Sequence, residues 1–336
     1  MLPPLHLSEV LRDRYKIAAY VGQGGMGSIY QADDLRLEGR LCAIKEVQND
    51  VSLAPEAQQQ ARDQFYREAS ILARLDHPNL PKVSDFFSIG ERDYLVMDFV
   101  PGRDLKQIMN EAKQNSRFLP ETEVLGWATQ LAAALEYLHH QEYAIVHRDI
   151  KPSNLKLTPA GVLKLVDFGL VKQLASDERT VTVIQGLGTA YYTPLEQYGG
   201  DSGHTDARTD IYSFGATLYH LLTNEPPAEA KQRFLRSDSL KPMRTINPAV
   251  SLNTEQAILW AMALHPDDRP PDVATFQEAL QPNNNLLVRS EGETLVVQPI
   301  IRLPSLTGRI DRFLAAAALS LLLLAVLLTI FPFYTH

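Results

Sequence analysis

The sequence predicts an α+β protein of two lobes, a small β-rich N-terminal lobe and a larger, mainly helical C-terminal lobe, followed by one transmembrane helix. Three observations predict this arrangement. Short strand patterns separated by turns fill roughly the first hundred residues. From about residue 102, apolar residues recur at spacings of three and four, which is typical of amphipathic helices. A run of twenty residues without a charge, 314–333, lies near the C-terminus.

The composition is that of a globular protein, with 45 % of the 336 residues hydrophobic and 21 % charged. This length suits two domains or one bilobal enzyme. A net charge of −8 disfavours sequence-independent binding to nucleic acid phosphates, so we expect no nucleic acid partner. The single cysteine, Cys42, allows no intrachain disulfide, and we interpret it as a small buried hydrophobic residue.

Three strands are predicted at the start of the N-terminal lobe. Residues 15–21 and 28–32 read as two strands joined by the glycine-rich turn of residues 22–27. The third strand covers residues 41–47, where alternate side chains point to opposite faces. Lys45 is the basic residue of that strand and the first candidate for a functional role.

A helix is predicted over residues 61–75, because Phe65, Glu68, Leu72 and Leu75 recur at spacings of three and four. These four side chains form one inward-facing stripe. Glu68 is therefore a carboxylate on an otherwise apolar face, and a buried carboxylate needs a partner.

The C-terminal lobe is predicted to follow a strand over residues 94–99 and a hinge over residues 100–102. A long amphipathic helix is predicted over residues 124–138. The further predicted elements are strands at 155–157 and 162–166 and helices at 210–222, 254–263 and 272–280.

The charge-free run near the C-terminus is long enough to cross a membrane, since twenty helical residues span the roughly 30 Å hydrocarbon core of a bilayer. Arg302, Arg309 and Arg312 precede it. The positive-inside rule places these arginines, and everything before them, in the cytoplasm. The sequence therefore predicts a single-pass protein of the cell membrane, with its C-terminus across the membrane and its helix in contact with lipid.

These patterns divide the chain into five parts. They are an N-terminal lead (1–14), the N-terminal lobe (15–101), the C-terminal lobe (102–281), a juxtamembrane linker (282–312) and the transmembrane helix (313–333).

The glycine triplet Gly22, Gly24 and Gly27 is weak on its own, because a flexible hairpin has the same composition. Its place between two strands, rather than before a helix, disfavours a dinucleotide-binding motif. Lys45 follows Gly27 by eighteen residues. Paired with Glu68 on the next helix, it would form a buried ion pair poised for the α- and β-phosphates of a nucleotide.

The segment 147–154, which reads His-Arg-Asp-Ile-Lys-Pro-Ser-Asn, places an aspartate, a lysine and an asparagine in one loop. Asp167 follows Asn154 by thirteen residues and opens an Asp-Phe-Gly sequence. With these motifs, the chain resembles the eukaryotic-like (Hanks-type) serine/threonine protein kinases in their bacterial form, over roughly residues 15–280. The resemblance implies the bilobal protein-kinase fold and transfer of the γ-phosphate of ATP to protein hydroxyls.

The resemblance also implies roles for single residues. Asp149 would be the catalytic base, and Lys151 would steady the γ-phosphate. Asn154 and Asp167 would hold Mg²⁺, with Mn²⁺ as an alternative ion. His147 would pack under Phe168 rather than react. The implied ATP-binding residues are Gly22, Gly24, Gly27, Ile29, Ala43, Lys45, Glu68 and, at the hinge, Asp98 and Val100.

Residues between Asp167 and Glu196 would form an activation segment. Thr180 and Thr182 are the expected phosphorylation sites, because a phosphate there could pair with Arg148 beside the base. The remaining implied residues are structural: Gly169 after Phe168, Thr189 bonding Asp149 and Lys151, Glu196 pairing with Arg269, and Asp210 bracing the catalytic loop.

The expected partners are protein substrates and, for autophosphorylation between molecules, a homodimer. Two alternatives remain open at this stage. One is a pseudokinase scaffold that binds nucleotide with little or no catalysis, and the other is a small-molecule phosphotransferase of related fold. The presence of Lys45, Asp149, Asn154 and Asp167 argues against the first. Lys151 and the threonine-bearing segment before Glu196 argue against the second.

Overall fold

The computed structural model describes residues 3–24, 27–48, 54–167, 190–198 and 205–281. The chain divides into two units, Met1–Leu286 and Leu287–His336, and the described residues all belong to the first.

The predicted linker (282–312) and transmembrane helix (313–333) lie outside the described residues. None of the helices within the described ranges has both the length and the apolar character needed to cross a membrane.

An antiparallel sheet of six described strands, in the order β1-β2-β3-β4-β6-β5, forms the N-terminal lobe. The strands are β1 (Val10–Leu11), β2 (Tyr15–Gly24), β3 (Gly27–Asp34), β4 (Leu41–Gln48), β5 (Val83–Ile89) and β6 (Arg92–Asp98). One face of this sheet buries a compact apolar cluster that includes Tyr15, Tyr30 and Ile44. Cys42 lies in the same cluster and is fully buried, as predicted. Burial raises the pKa of its thiol.

Gly27 is required where β3 passes β4. A Cβ atom at Gly27 would lie 1.8 Å from the carbonyl oxygen of Glu46, which no side chain could tolerate. The glycine thus allows a close approach of two backbones at the start of the hairpin strand. The predicted role of the glycine triplet in binding phosphates stays a prediction, and residues 25 and 26 of the turn lie outside the described residues.

Residues 3–11, which belong to the predicted N-terminal lead (1–14), pack against the sheet. The Leu5 N–H donates to the hydroxyl of Tyr30 at 3.0 Å, and Arg92 Nη2 donates to the Pro3 carbonyl at 2.6 Å. The Tyr30 hydroxyl in turn donates to the buried Glu46 carboxylate at 3.0 Å. The Ile17 N–H donates to the carbonyl of Glu9 at 2.8 Å. This bond extends the contact between the lead and the sheet beside β1. The lead is therefore part of the lobe.

The helix α1 (Pro55–Leu72) begins six residues before the predicted start. Pro55 occupies the first turn, where its missing N–H costs nothing, and the following glutamines are good helix formers without an apolar pattern. The predicted inward stripe is confirmed, because Phe65, Glu68 and Leu72 are buried, as is Leu75 just beyond the helix.

The described part of the C-terminal lobe is mainly helical. Its helices are α2 (Leu105–Gln114), α3 (Glu121–His139), α4 (Ala207–Thr223), α5 (Ala230–Leu235), α6 (Met243–Ile246), α7 (Leu252–Ala261) and α8 (Val273–Ala279). A small sheet β7-β8-β9 joins Arg103–Asp104, Leu155–Leu157 and Leu163–Leu165. Side-chain caps set several helix starts: Asp206, Ser251 and Asp272 accept hydrogen bonds from the first turns of α4, α7 and α8.

The hinge between the lobes ends at Gly102, which adopts a positive φ of 105°. A Cβ atom there would lie 2.1 Å from the carbonyl oxygen of Leu157, so the hinge backbone packs directly against β8. In this way the segment predicted to bind adenine is held beside the strand that leaves the catalytic loop.

Candidate active site

The loop of residues 147–154 lies between α3 and β8, and Asp210 holds it by hydrogen bonds. This carboxylate is fully buried and accepts backbone hydrogen bonds from His147 and Arg148, each at 2.8 Å. The predicted bracing by Asp210 is therefore confirmed. Arg148 adopts a positive φ of 65°, a conformation that these bonds help to hold.

Asp210 stays ionised because of its neighbours. Burial alone would raise its pKa, but the hydrogen bond from His139 Nε2, at 2.9 Å, and the backbone N–H of Arg148 help to outweigh burial and lower it. Sequence reasoning missed His139. Its only signal was its position as the last residue of α3, which gives no hint of a contact with a residue seventy-one positions later.

Asp149 is an oriented carboxylate. The Lys151 ammonium donates to both of its oxygens, at 2.8 Å each. Asn154 Nδ2 donates to Asp149 Oδ2 at 2.9 Å and to the Asp149 backbone carbonyl at 2.8 Å. The structure thus brings together the three residues that the loop motif predicted. A carboxylate fixed by two side chains on the same loop can take a proton in a defined direction.

His147 lies in the same loop as Asp149 and is almost fully buried. Burial lowers the pKa of its imidazole, so the ring is neutral near pH 7. Its Nδ1 accepts a hydrogen bond from the Asp149 N–H at 3.3 Å. The structural role predicted for His147 stays a prediction, since its expected contact with Phe168 lies outside the described residues.

Lys45 reaches across the cleft from β4 and donates to Asp167 Oδ1. Burial would raise the pKa of Asp167, but the Lys45 ammonium beside it more than offsets burial and lowers it. Asp167 is therefore anionic at neutral pH. It adopts a positive φ of 60°, one of the backbone conformations that cluster at functional sites.

The predicted ion pair of Lys45 with Glu68 stays a prediction. The ion pair that the structure gives Lys45 is with Asp167, whereas Glu68 accepts a hydrogen bond from Gln64 Nε2 at 2.8 Å. Glu68 is nevertheless buried on the inward face of α1, where the sequence placed it.

Asn154 and Asp167 are suitable ligands for Mg²⁺. They are held close together because the Val166 N–H donates to the Asn154 carbonyl at 2.8 Å. Since Nδ2 of Asn154 is directed to Asp149, its Oδ1 is the atom that would bind a cation. Mg²⁺ prefers hard oxygen ligands. Two of them from the protein, one anionic, are sufficient when nucleotide phosphates and water supply the remaining ligands. The described residues contain no cluster of three or more His, Cys, Asp or Glu that would compete as a metal site.

Most of the predicted ATP-binding residues lie on strands of the N-terminal lobe. Gly22 and Gly24 are in β2, and Gly27 pairs with Gly24 across the hairpin. Ile29 is paired with Lys45 between β3 and β4, so these two residues are neighbours in the sheet.

Ala43 lies opposite Met97 in the ladder between β4 and β6 and so adjoins the hinge. The Asp98 N–H donates to the Lys82 carbonyl at 2.9 Å, which fixes the backbone just before the hinge. Val100, the first hinge residue, is buried. The backbone that enters the hinge is therefore held in place.

The predicted pair of Glu196 and Arg269 is confirmed. Arg269 Nη1 and Nη2 donate to the two oxygens of Glu196, at 2.6 and 3.0 Å. The Arg269 side chain is fully buried and also donates to the carbonyls of Ala263, Leu264 and Arg208. This pair ties the end of the expected activation segment to the large lobe. The other residues predicted for that segment, Phe168, Gly169, Thr180, Thr182 and Thr189, lie outside the described residues.

A comparison with protein families gives a match between residues 15–281 and the model described as "Protein kinase domain". The chain belongs to the protein kinase domain family. The match spans both lobes and the whole constellation of Lys45, Asp149, Asn154 and Asp167.

Two curated bacterial proteins are similar to this kinase domain. The chain is 32% identical over 299 residues to the probable serine/threonine-protein kinase PknB of Lactococcus lactis, covering 85% of this chain and 44% of that protein. It is 32% identical over 290 residues to the serine/threonine-protein kinase PknB of Mycobacterium leprae, covering 83% and 44%. The chain thus spans less than half the length of the curated relatives it matches.

Solved structures share the kinase fold. The structure titled PpkA-294 apo form superimposes with a TM-score of 0.66 at 27% sequence identity, covering 83% of this chain and 99% of that one. The PknI kinase domain of Mycobacterium tuberculosis gives a TM-score of 0.62 at 26% identity, covering 82% and 98%. The bilobal protein kinase fold predicted from the sequence is confirmed.

Proposed function

We propose that this chain is a serine/threonine protein kinase that transfers the γ-phosphate of ATP to hydroxyl groups of proteins, itself included. The observation that carries the proposal is the contact group of Asp149 with Lys151 and Asn154, next to the pair of Lys45 and Asp167. The names of the relatives, which describe serine/threonine-protein kinases, support the choice of acceptor.

In this reaction Asp149 accepts the proton of the substrate hydroxyl. The hydroxyl oxygen forms a bond to the γ-phosphorus while the bond between that phosphorus and the β,γ-bridging oxygen breaks, so that ADP leaves. Asp149 is held at two points on its own loop, so its oxygens are already directed before the substrate binds. This orientation, rather than any unusual basicity, is what the geometry supplies.

Lys151 sits beside the base and carries the charge needed at the transferred group. Its ammonium contacts both oxygens of Asp149, so it lies within a few ångströms of any hydroxyl that Asp149 binds. Lys45 provides a second cation at the other wall of the cleft, where it already holds Asp167. Mg²⁺ bound with ATP would neutralise phosphate charge, and Asn154 and Asp167 are the residues that would hold it.

The proposed activity can be tested with purified chain, radiolabelled Mg-ATP and a generic basic protein. We expect phosphoserine and phosphothreonine on the added protein and on the chain itself. Lys45→Met should lower the transfer by more than about tenfold, because it removes the cation that holds Asp167 and faces the phosphates. Lys82→Met makes the same substitution at an exposed lysine and should leave the transfer unchanged. Equal activity of the two variants, or label on small molecules alone, would contradict the proposal.

We also propose that residues 313–333 anchor the kinase in the cell membrane, with the kinase domain in the cytoplasm. Support comes from the charge-free run of twenty residues and the arginines before it. The run lies beyond the family match, which ends at residue 281. Anchoring would raise the local concentration of molecules and favour phosphorylation between them.

A chain that ends at residue 308 is therefore expected to be soluble and fully active. The full chain should stay with the membrane fraction after a carbonate wash, and the shortened chain should leave it. A second variant replaces Leu322 and Leu323, at the middle of the run, by arginine. This full-length variant should also leave the membrane fraction. Sedimentation of the shortened chain with membranes would show that another part of the protein binds them.

A further inference from the structure

Asp93 is a buried carboxylate in β6 to which the activity proposed above gives no role. Its Oδ1 accepts a hydrogen bond from the hydroxyl of Ser88 in β5 and lies 4.0 Å from Nε of Arg62 in α1. Its Oδ2 is also buried, and no residue in the described ranges donates to it. A buried carboxylate destabilises a fold unless a partner compensates its charge. Because the cation beside Asp93 belongs to α1, that compensation depends on where the helix lies.

The helix also reaches Asp93 through a neutral contact. Tyr66 follows Arg62 by four residues, so the two side chains lie on one face of α1. The Tyr66 hydroxyl is 3.1 Å from the Ser88 hydroxyl, which has given its only hydrogen to Asp93. Tyr66 is therefore the donor, and a chain of hydrogen bonds runs from Tyr66 through Ser88 to Asp93. Hydrogen bonds in such a chain strengthen one another.

Two further contacts join α1 to the hairpin of β5 and β6. Arg62 Nη2 donates to the carbonyl of Gly90, in the turn of the hairpin, at 3.1 Å. The Tyr66 ring packs edge-on against Phe86 of β5, with their centroids 5.5 Å apart. The helix thus contacts both strands of the hairpin and its turn, and the charged and neutral contacts meet at Asp93.

The elements that Asp93 joins carry two of the predicted site residues. Glu68 is buried on α1. Lys45 lies on β4 and is paired with Leu95 of β6, two residues after Asp93 and on the same face of the strand. Leu95 belongs to the apolar cluster that also contains the buried residues of α1, so this is the face that the helix covers. Asp93 therefore connects the helix of Glu68 with the strand pair of Lys45.

A shift of α1 relative to the sheet would separate Arg62 from Asp93. The Arg62 side chain is 38% exposed and could turn to water, whereas the Asp93 side chain is 1% exposed and could not. An uncompensated charge would remain inside the lobe, which is strongly unfavourable. An apolar residue at position 93 would fill the core without any such dependence on the helix. The charge thus selects one placement of α1.

We propose that Asp93 is a positioning residue for phosphate transfer, which holds α1 through Arg62 and Ser88 and so sets the position of Glu68 relative to Lys45. In this role Asp93 acts through the helix and does not touch the nucleotide or the acceptor protein. The effect on the rate rests on the proposed function. The attachment of α1 can be measured without catalysis.

The test compares the wild-type chain with Asp93→Asn, Arg62→Met and the double variant. Phosphate transfer from radiolabelled Mg-ATP to a basic protein gives kcat and the KM for ATP, and hydrogen exchange reports the opening of α1. We expect each single variant to lose about fivefold or more in kcat, with the KM for ATP within about twofold of wild type. The double variant should lose no more than the weaker single variant, because both substitutions break the same contact. The α1 amides should exchange at least about threefold faster in all three variants.

Asp34→Asn is the matched control. Asp34 is also a buried carboxylate of the N-terminal lobe, and Arg14 donates to both of its oxygens at 2.9 and 2.7 Å, but neither residue belongs to α1. This variant should lower the thermal midpoint and leave kcat and the exchange of α1 unchanged. A residue with only a structural role would behave in the same way. Because Arg62 is partly exposed, Arg62→Met keeps the test decisive if Asp93→Asn does not fold.

Three results would each overturn the inference: unchanged kcat in the single variants, losses that multiply in the double variant, or exchange of α1 equal to wild type. A fall in kcat of the control as large as that of Asp93→Asn would do the same. A wild-type chain that transfers no phosphate would remove the proposed function instead. The exchange rates would still decide whether Asp93 holds the helix.

Discussion

Asp149→Asn is expected to lower phosphate transfer by about 10²–10⁴-fold while ATP affinity stays close to that of the wild-type kinase. The asparagine can still accept from the Lys151 ammonium and keep its backbone bond with Asn154, so the loop should retain its shape. It cannot take the proton of the substrate hydroxyl. Transfer of radiolabelled phosphate to a protein substrate and calorimetric titration with ATP measure the two effects separately.

Asp76→Asn is the matched control for this prediction. Asp76 is an exposed carboxylate that pairs with Lys82 at 3.1 Å, away from the catalytic loop. It should leave both measurements unchanged. Full transfer by Asp149→Asn would remove Asp149 from the role of base, and parallel loss of ATP binding would show that the substitution damages the fold instead.

Arg269→Ala is expected to lower the free energy of unfolding by about 3–5 kcal/mol. The substitution leaves the Glu196 carboxylate without the guanidinium that binds both of its oxygens. It also removes donors from three carbonyls, those of Ala263, Leu264 and Arg208. Loss of one partner of a buried charge pair costs far more than the pair contributes relative to an apolar replacement, because the remaining charge stays buried.

Urea denaturation monitored by tryptophan fluorescence can measure this loss, since both tryptophans of the chain, Trp127 and Trp260, lie in helices of the C-terminal lobe. Arg103→Ala provides the control. Arg103 forms an exposed ion pair with Glu111, and its loss should cost less than about 1 kcal/mol. Similar costs for the two arginines would mean that the buried pair does not stabilise the large lobe.

Much of the catalytic site could be predicted because its residues are close in sequence. Asp149, Lys151 and Asn154 share one loop, so their spacing already fixes which side chains can meet. The inward stripe of α1 was predictable for a similar reason, since helix periodicity alone selects Phe65 and Leu72. The contact between Glu196 and Arg269 joins distant residues, and only resemblance to known kinases suggested it.

Features that depend on tertiary contacts were not predictable. The strand β5 was missed because Ser84 and Asp85 interrupt its apolar pattern, and a register shift between Val83 and Asp85 breaks the alternation. The bond from His139 to Asp210 joins residues seventy-one positions apart.

The packing of residues 3–11 changes where the kinase domain physically starts. The family match opens at Tyr15, yet the hydroxyl of Tyr30 and the guanidinium of Arg92 both use backbone partners that precede it, at Leu5 and Pro3. A fragment cut at the family boundary would remove both backbone partners and leave Tyr30 and Arg92 with their contacts to the Glu46 carboxylate, one residue from Lys45. The packed lobe therefore begins before the region that matches the protein kinase domain family.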